Sequence, residues 1–509
     1  MKKIFSIILA ACVSFSFIGC ENELDLQNPN KVTDGTFWKT VDDFKQAVNA
    51  GYVNQKFMLG YSGYTGTLMR ISRGDDVDMV APNDGSIAGF TNTFDNGTAQ
   101  GYFSMFYKSI ARANDVIARI QDKDFSKEDK DLILGEAHFL RGFCYFNLAR
   151  HFQNVPIRLV ASQDPADFPL ATSEQSKVYE QAVSDFSAAE GYLPLQNPNK
   201  AKPSKGSAVA FLGKVYVYME NWKLAKETLE PLTKSPYTYK LVDFSWNTTA
   251  EHEYNEESIY EAPFSMAGGS DIWTWGEDPN ASQSTAMACQ FAHPGAGGWR
   301  QARVSRTMMA TFLAEKDKDG KDDIRARESV AWDYPGCMYY KQSFQEFFDK
   351  NDPALKSEYW IIKYQNSKTQ ESEGDAKSAI NERIMRYANV LLLLAECELN
   401  LQNLDGAIGY LDQIRKRANL NKYEVAHAKT QEAIMQDIIN QRAIEFFRDG
   451  ERFDDLRRWG LIKEALEAGK NNEYHTQQYI NYTDKYQYFP IPAKEIQTNP
   501  LCEQNAPWR

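Results

Sequence analysis

Trp273 and Trp275 lie two residues apart, bracketed by Ser270-Asp271 on one side and Glu277-Asp278 on the other. A flat indole face packs against C–H surface, and carboxylates or amides beside it exchange hydrogen bonds with hydroxyl groups. Together those residue types carry out the chemistry of sugar recognition, one tryptophan as a stacking platform and the other as an anchor of its loop. Trp299 follows Gly297-Gly298 and could form part of the same wall. A second set lies early in the chain, where Tyr61, Tyr64, Phe90 and Phe94 are interleaved with Asp75, Asp76, Asn83, Asp84 and Asn92. The candidate ligand contacts are therefore Trp273, Trp275, Trp299, Phe90, Tyr64, Asp76 and Asn92. Packing into a core is an equal alternative for each aromatic. For Asp75-Asp76, which follow Arg73-Gly74, so is a structural role in the loop.

Catalysis is the rival use of such acids. Glycoside hydrolysis needs two carboxylates roughly 5–10 Å apart, and the chain has 69 acidic residues to draw on. None sits in a string that resembles a hydrolase signature. There is no GxSxG elbow and no HExxH pair, and the histidines at 138, 151, 252, 293, 427 and 475 are scattered. The run Asp317 to Asp323 imitates a calcium loop but fails its register. Counted from Asp317, Glu328 is twelfth but Gly320 is fourth, and counted from Glu315 the glycine is sixth but the twelfth residue is Ala326. A solvated charged turn is the better reading. Binding without a chemical step, and without metal or cofactor, is the expectation.

The elements that must hold these residues read as mostly α-helical. Helical periodicity runs over 40–58 and again over 102–120, where Phe103, Phe106, Tyr107, Ile110, Ala113, Asn114 and Ile117 share a side. The stretch between them, Leu59 to Gly101, is rich in Gly, Asn, Asp and Thr and reads as loop. Leu212-Gly213, Tyr216, Ala225 and Leu229 fall at tetratricopeptide spacing, and Leu394-Ala395, Ala407 and Leu411 repeat the offsets with Glu398 in place of the tyrosine. A broken third copy uses Gly142 and Tyr145, with its second helix at 178–192. Between Asp243 and Glu382 the helical pattern lapses into a Gly/Pro-punctuated insert that carries six tryptophans, a length usually kept for function.

The N-terminus reads as a secretion signal. Met1-Lys2-Lys3 precedes an apolar run to Ile18, which is shorter than the ~20 residues that span a bilayer. It ends Gly19-Cys20, which resembles a lipobox and implies a signal peptide at 1–19 and acylation of Cys20. An acidic tether over 20–30 and one domain over 31–509 follow. Losing Lys2 and Lys3 takes the net charge from −12 to −14. That argues against nucleic acid and anionic lipid surfaces as partners. Five cysteines remain beyond Cys12 and Cys20, an odd number with wide spacing and no CxxC, so neither a disulfide framework nor zinc is implied.

Residues 440–459, NQRAIEFFRDGERFDDLRRW, resemble the ERxxELxxEGxRxxDLxRW signature of the SusD/RagB family of nutrient-binding lipoproteins, with Gln441 and Asp449 as departures. Residues 489–500, FPIPAKEIQTNP, resemble its closing PIPxxExxxNP. Gln504-Asn505 echo the terminal QNPGY, from which Ala506-Pro507-Trp508 depart. Phe106-Tyr107 with Ala113-Asn114, Glu136 to Gly142, and Gly297-Gly298-Trp299 before Met309 to Phe312 match further strings in order. The resemblance spans essentially the whole mature chain. It implies a SusD-like helical fold whose two loop regions form a glycan-binding face. It also implies a lipid anchor in the outer membrane, facing outward, and a partner SusC-like TonB-dependent transporter; a peptide or glycopeptide is the alternative ligand. In the C-terminal string, Arg442, Glu445, Arg448, Glu451 and Arg452 fall three or four apart. They are expected to pair along one helix, with Asp454, Asp455, Arg457 and Arg458 extending the network past Gly450.

Overall fold

The computed structural model describes residues 37–59, 65–80, 85–161, 164–267, 283–470 and 480–509. Cys20, Tyr64, Trp273 and Trp275 lie outside them. Lys45–Arg509 pack as one compact unit. In the short stretch ahead of it, the Trp38 ring meets Phe37 and Phe44 edge to face, each at 5.0 Å.

The scaffold is a succession of antiparallel helix pairs. Helix Gly97–Arg119 packs on Lys127–Phe152, which packs on Gln175–Tyr192. Lys205–Tyr218 then pairs with Trp222–Leu229, and Tyr387–Asn400 with Leu404–Arg417. These are the three tetratricopeptide-like hairpins, and their small residues sit where the helices touch. A Cβ on Gly213 would lie 2.4 Å from Leu229 Cγ, and one on Gly142 would lie 3.1 Å from Asp185 Cβ. Asn221 and Asn403 start the second helices by accepting the N–H of Leu224 and Gly406 on their side chains. Glu398, standing where the pattern has tyrosine, pairs with Lys226 at 2.8 Å and accepts from Asn403 Nδ2 at 2.9 Å. The apolar run Val390 to Ala395 is buried on every side within its helix. No helix among the described residues is long and apolar enough to cross a membrane.

Two expectations change. The supposed loop from Leu59 to Gly101 contains helix Thr65–Ile71, strand Val77–Met79 and the short helix Gly85–Ala88, and the long helix that follows it already starts at Gly97. Its local composition favours turns, but Met69, Ile71, Val77 and Met79 are buried against the rest of the chain, and that burial outweighs weak propensity. The charged string does not pair mainly along one helix either. Its helix stops at Glu445, and Arg448 and Gly450 adopt positive φ. Glu445 instead meets Arg386 at 2.7 Å, Arg325 at 3.4 Å and Arg417. Arg442 takes Asp455 at 2.7 Å, Glu451 takes Lys214 at 2.7 Å, and Arg452 takes Asp75 at 2.6 Å. Only Asp454–Arg457 and Asp455–Arg458 are helix neighbours of the expected kind.

Strands Ser258–Ala262 and Glu382–Arg386 pair antiparallel and close the base of the insert. Within it Tyr339, Tyr340, Phe347, Phe348 and Trp360 form a separate aromatic core. Trp360 and Trp332 are buried, so part of the tryptophan enrichment there is packing. The closing Pro-rich segment folds back on the scaffold. The Phe489 N–H donates to His151 O at 2.7 Å, Asn505 Nδ2 donates to Phe152 O at 2.6 Å, and Gln504 bonds both backbone groups of Ile491.

Candidate functional site

Two distant loop regions meet at a short antiparallel ladder, Val77–Met79 against Ala302–Val304, in register Val77↔Val304 and Met79↔Ala302. The pairing continues one step further, since Val80 N–H donates to Gln301 O at 2.8 Å. The chain therefore leaves the early strand two residues from Trp299 in register. Trp299 itself sits on a rigid backbone: its N–H donates to Cys289 O at 2.8 Å, Arg300 N–H to Ala292 O at 3.1 Å, and Gln301 N–H to Gln290 O at 2.8 Å. The glycine pair before it is obligatory. A Cβ on Gly298 would fall 2.1 Å from Ala292 O, and Gly297 has φ +73°. The half-buried indole rests on Ala286 and Met287. Beneath the ladder Arg300 and Arg303 converge on Glu358, and Arg303 also reaches Asp78. The stem of the segment carrying Trp273 and Trp275 is pinned beside this platform, by Ser265 N–H to Gln283 O at 2.9 Å and by the exchange of bonds between Thr285 and Ser378.

The other candidates part company with Trp299. Phe90 is a core ring, not a surface platform: it is 1 % exposed, stacks on Phe453 and meets Tyr482 and Tyr486. Asp76 is also corrected to a structural role, being 3 % exposed below the surface. Its neighbour Asp75 is engaged by both Arg452 Nε and Nη2 at 2.6 and 2.8 Å, so the local cation is already taken. Burial, seconded by the Asp75 charge, pushes the Asp76 carboxyl up to about 7, against the pull of Arg452. A raised carboxylate pKa means that the unfolded chain releases this proton first, so Asp76 erodes stability as pH rises from about 4 to 7. Asp76→Asn should match the native chain near pH 4. By pH 8 it should be more stable, on the order of 2–4 kcal/mol, in urea titrations run across that range; a pH-independent difference would refute it.

Asn92 lines a cleft of about 520 Å³ between residues 90–94 and the C-terminal residues 481–509, whose walls include Phe94, Lys485 and Trp508. Phe94 belongs to the early aromatic set, whereas the C-terminal wall carries no local pattern that marks it in the sequence, save that Ala506-Pro507-Trp508 depart from the expected closing string. Among the described residues no group of three or more His, Cys, Asp or Glu is placed to hold a metal ion.

The SusD family model matches residues 256–508, and a second, described as starch-binding associating with outer membrane, matches 24–217. A SusD superfamily protein from Bacteroides vulgatus is 44% identical, with TM-score 0.84 over 93% of this chain and 100% of that one. This chain belongs to the SusD family. Among its relatives, SusD-like protein P2 of Formosa agariphila is 26% identical over 97% of both chains. Surface glycan-binding protein A from Bacteroides thetaiotaomicron, solved with laminarihexaose, shares the fold at 20% identity and TM-score 0.72 over 91% of this chain and 99% of that one. The SusD fold thus accounts for the helical hairpins and for the irregular insert between the strands that close it. Within that insert, the ladder and the hydrogen bonds after it set Trp299 beside the stem of the segment that carries Trp273 and Trp275.

Proposed function

We propose that this SusD-family chain is a cell-surface glycan-binding lipoprotein. It is anchored through acylated Cys20 in the outer membrane, captures oligosaccharides and hands them to a TonB-dependent, SusC-like transporter, with no chemical step of its own. The observation that carries the reading is Trp299, a half-buried indole on a backbone immobilised by three hydrogen bonds, next to the pinned stem of a segment with two more tryptophans. A rigid aromatic platform loses little conformational entropy on stacking against a pyranose face, which favours weak, additive capture of a repeating ligand. The laminarihexaose bound to the glycan-binding relative supports a saccharide as the ligand class. The lipobox-like end of the signal and the matched outer-membrane family description support the location.

The test is affinity electrophoresis and calorimetry of the mature protein against a panel of neutral and acidic polysaccharides, with peptides as the competing class. Binding to at least one glycan, with no new reducing ends released, is the expected result. Binding to peptides alone would transfer the reading to peptide or glycopeptide capture, and product release would make the protein an enzyme.

A further inference from the structure

The cleft at the C-terminus has its own chemistry. Phe94 stands at its edge 53 % exposed, and Trp508 is fixed in plane by Nε1–H donating to Tyr488 O at 3.1 Å and by an edge-on contact with Tyr486 at 5.3 Å. Asn92 is 3 % exposed, yet its side-chain Nδ2 finds no acceptor. That nitrogen is closed off from solvent, so it forms part of the cleft's backing and is not a donor that a ligand reaches. The Lys485 ammonium lies 4.8 Å and 5.0 Å from the Tyr486 and Trp508 ring centres, and among the described residues no carboxylate reaches it. Among the described residues no Asp or Glu side chain lines the cleft. The nearest acids in sequence are engaged elsewhere, Asp484 by Lys463 at 2.9 Å and Asp95 by the Thr93 hydroxyl. Arg509, also in the lining, is paired with Glu503 at 2.7 Å.

We propose that this cleft is a saccharide subsite selective for an acidic sugar, with Lys485 on its carboxylate or sulfate group and Trp508 or Phe94 against its ring. The assignment rests on the glycan-binding reading and adds the charge of the ligand to it. A half-buried lysine with aromatic neighbours and no counter-ion holds an anion more strongly than a solvated surface lysine does, because less water screens the pair. A neutral sugar would use the aromatic wall but leave Lys485 unanswered.

The experiment is calorimetry of the mature protein and of Lys485→Gln with three probes: oligogalacturonate, sulfated carrageenan oligosaccharide and neutral laminarihexaose. Binding of an acidic probe that weakens about ten- to hundredfold in Lys485→Gln, and also with added salt, is expected, with circular dichroism unchanged. Whichever acidic probe binds separates carboxylate from sulfate recognition. Equal binding of the acidic probes by both proteins, or binding of laminarihexaose alone, overturns the subsite and leaves the glycan reading intact. Failure of all three probes, together with failure of the full polysaccharide panel, overturns both.

Discussion

Glu445→Ala should cost about 3–5 kcal/mol of stability, read as a shift in the urea midpoint at neutral pH. Glu445 is fully buried, and three arginines from three separate segments, Arg325, Arg386 and Arg417, converge on it. Removing the carboxylate leaves three cations in a desolvated site with one shared counter-charge fewer. Arg386 and Arg417 retain Glu257, and Arg325 retains Asp323, which is why partial and not complete unfolding is expected. The arginines hold the Glu445 carboxyl far below the usual carboxylate range despite burial. A depressed carboxylate pKa contributes stability that is present above its unfolded value of about 4.3 and is lost as pH falls below it. The native chain should therefore lose more stability than Glu445→Gln on acidification below about pH 4.5. A Glu445→Ala protein within about 1 kcal/mol of native would show that the arginines re-pair without it.

Trp273→Ala or Trp275→Ala should abolish measurable glycan binding while leaving the fold intact, and Trp299→Ala should weaken it roughly ten- to hundredfold. Removing one stacked indole face forfeits about 1.5–3 kcal/mol of apolar contact, which is one to two decades in Kd. The larger effect falls on the two insert tryptophans because they share one short segment with Asp271, Glu277 and Asp278, a sequence that combines stacking and hydroxyl-binding side chains. Trp299 rests on Ala286 and Met287, and its truncation is expected to move the thermal midpoint only slightly. Affinity gels on the responding polysaccharide, paired with circular dichroism, separate lost binding from lost fold. Undiminished binding in both Trp273→Ala and Trp275→Ala would remove the site from this segment.

The helical hairpins were legible because their signal is local. Gly213 and Leu229 are only 16 residues apart, on two helices joined by a short turn, and a small residue at their crossing point is demanded by contacts that a Cβ would violate. The closing Pro-rich segment is extended only over 489–492, and Ala493–Thr498 forms a short helix directly after Pro492, because a proline at a helix start removes no intrahelical hydrogen bond. Phe90 and Asp76 were misplaced because an aromatic or an acid in a Gly/Asn/Asp-rich stretch has the same local signature whether it faces solvent or core. Only Phe453 and Tyr486 against the one, and the burial of the other beside the Asp75–Arg452 pair, distinguish the cases.

By itself, then, the sequence determined the helical class, the positions of the hairpins and the family, and it singled out two loop regions as candidates for a ligand face. Tertiary structure alone decided which side chains those loops expose. It brought Val80 beside Gln301, paired the charged string with Asp75, Lys214, Arg325 and Arg386 on other elements, and set Lys485 and Trp508 in one cleft with Asn92. The reason is separation along the chain. Periodicity reports neighbours three or four residues apart, whereas Arg452 and Asp75 are 377 residues apart and Lys214 and Glu451 are 237, and no local rule couples residues at that distance until the core between them has formed.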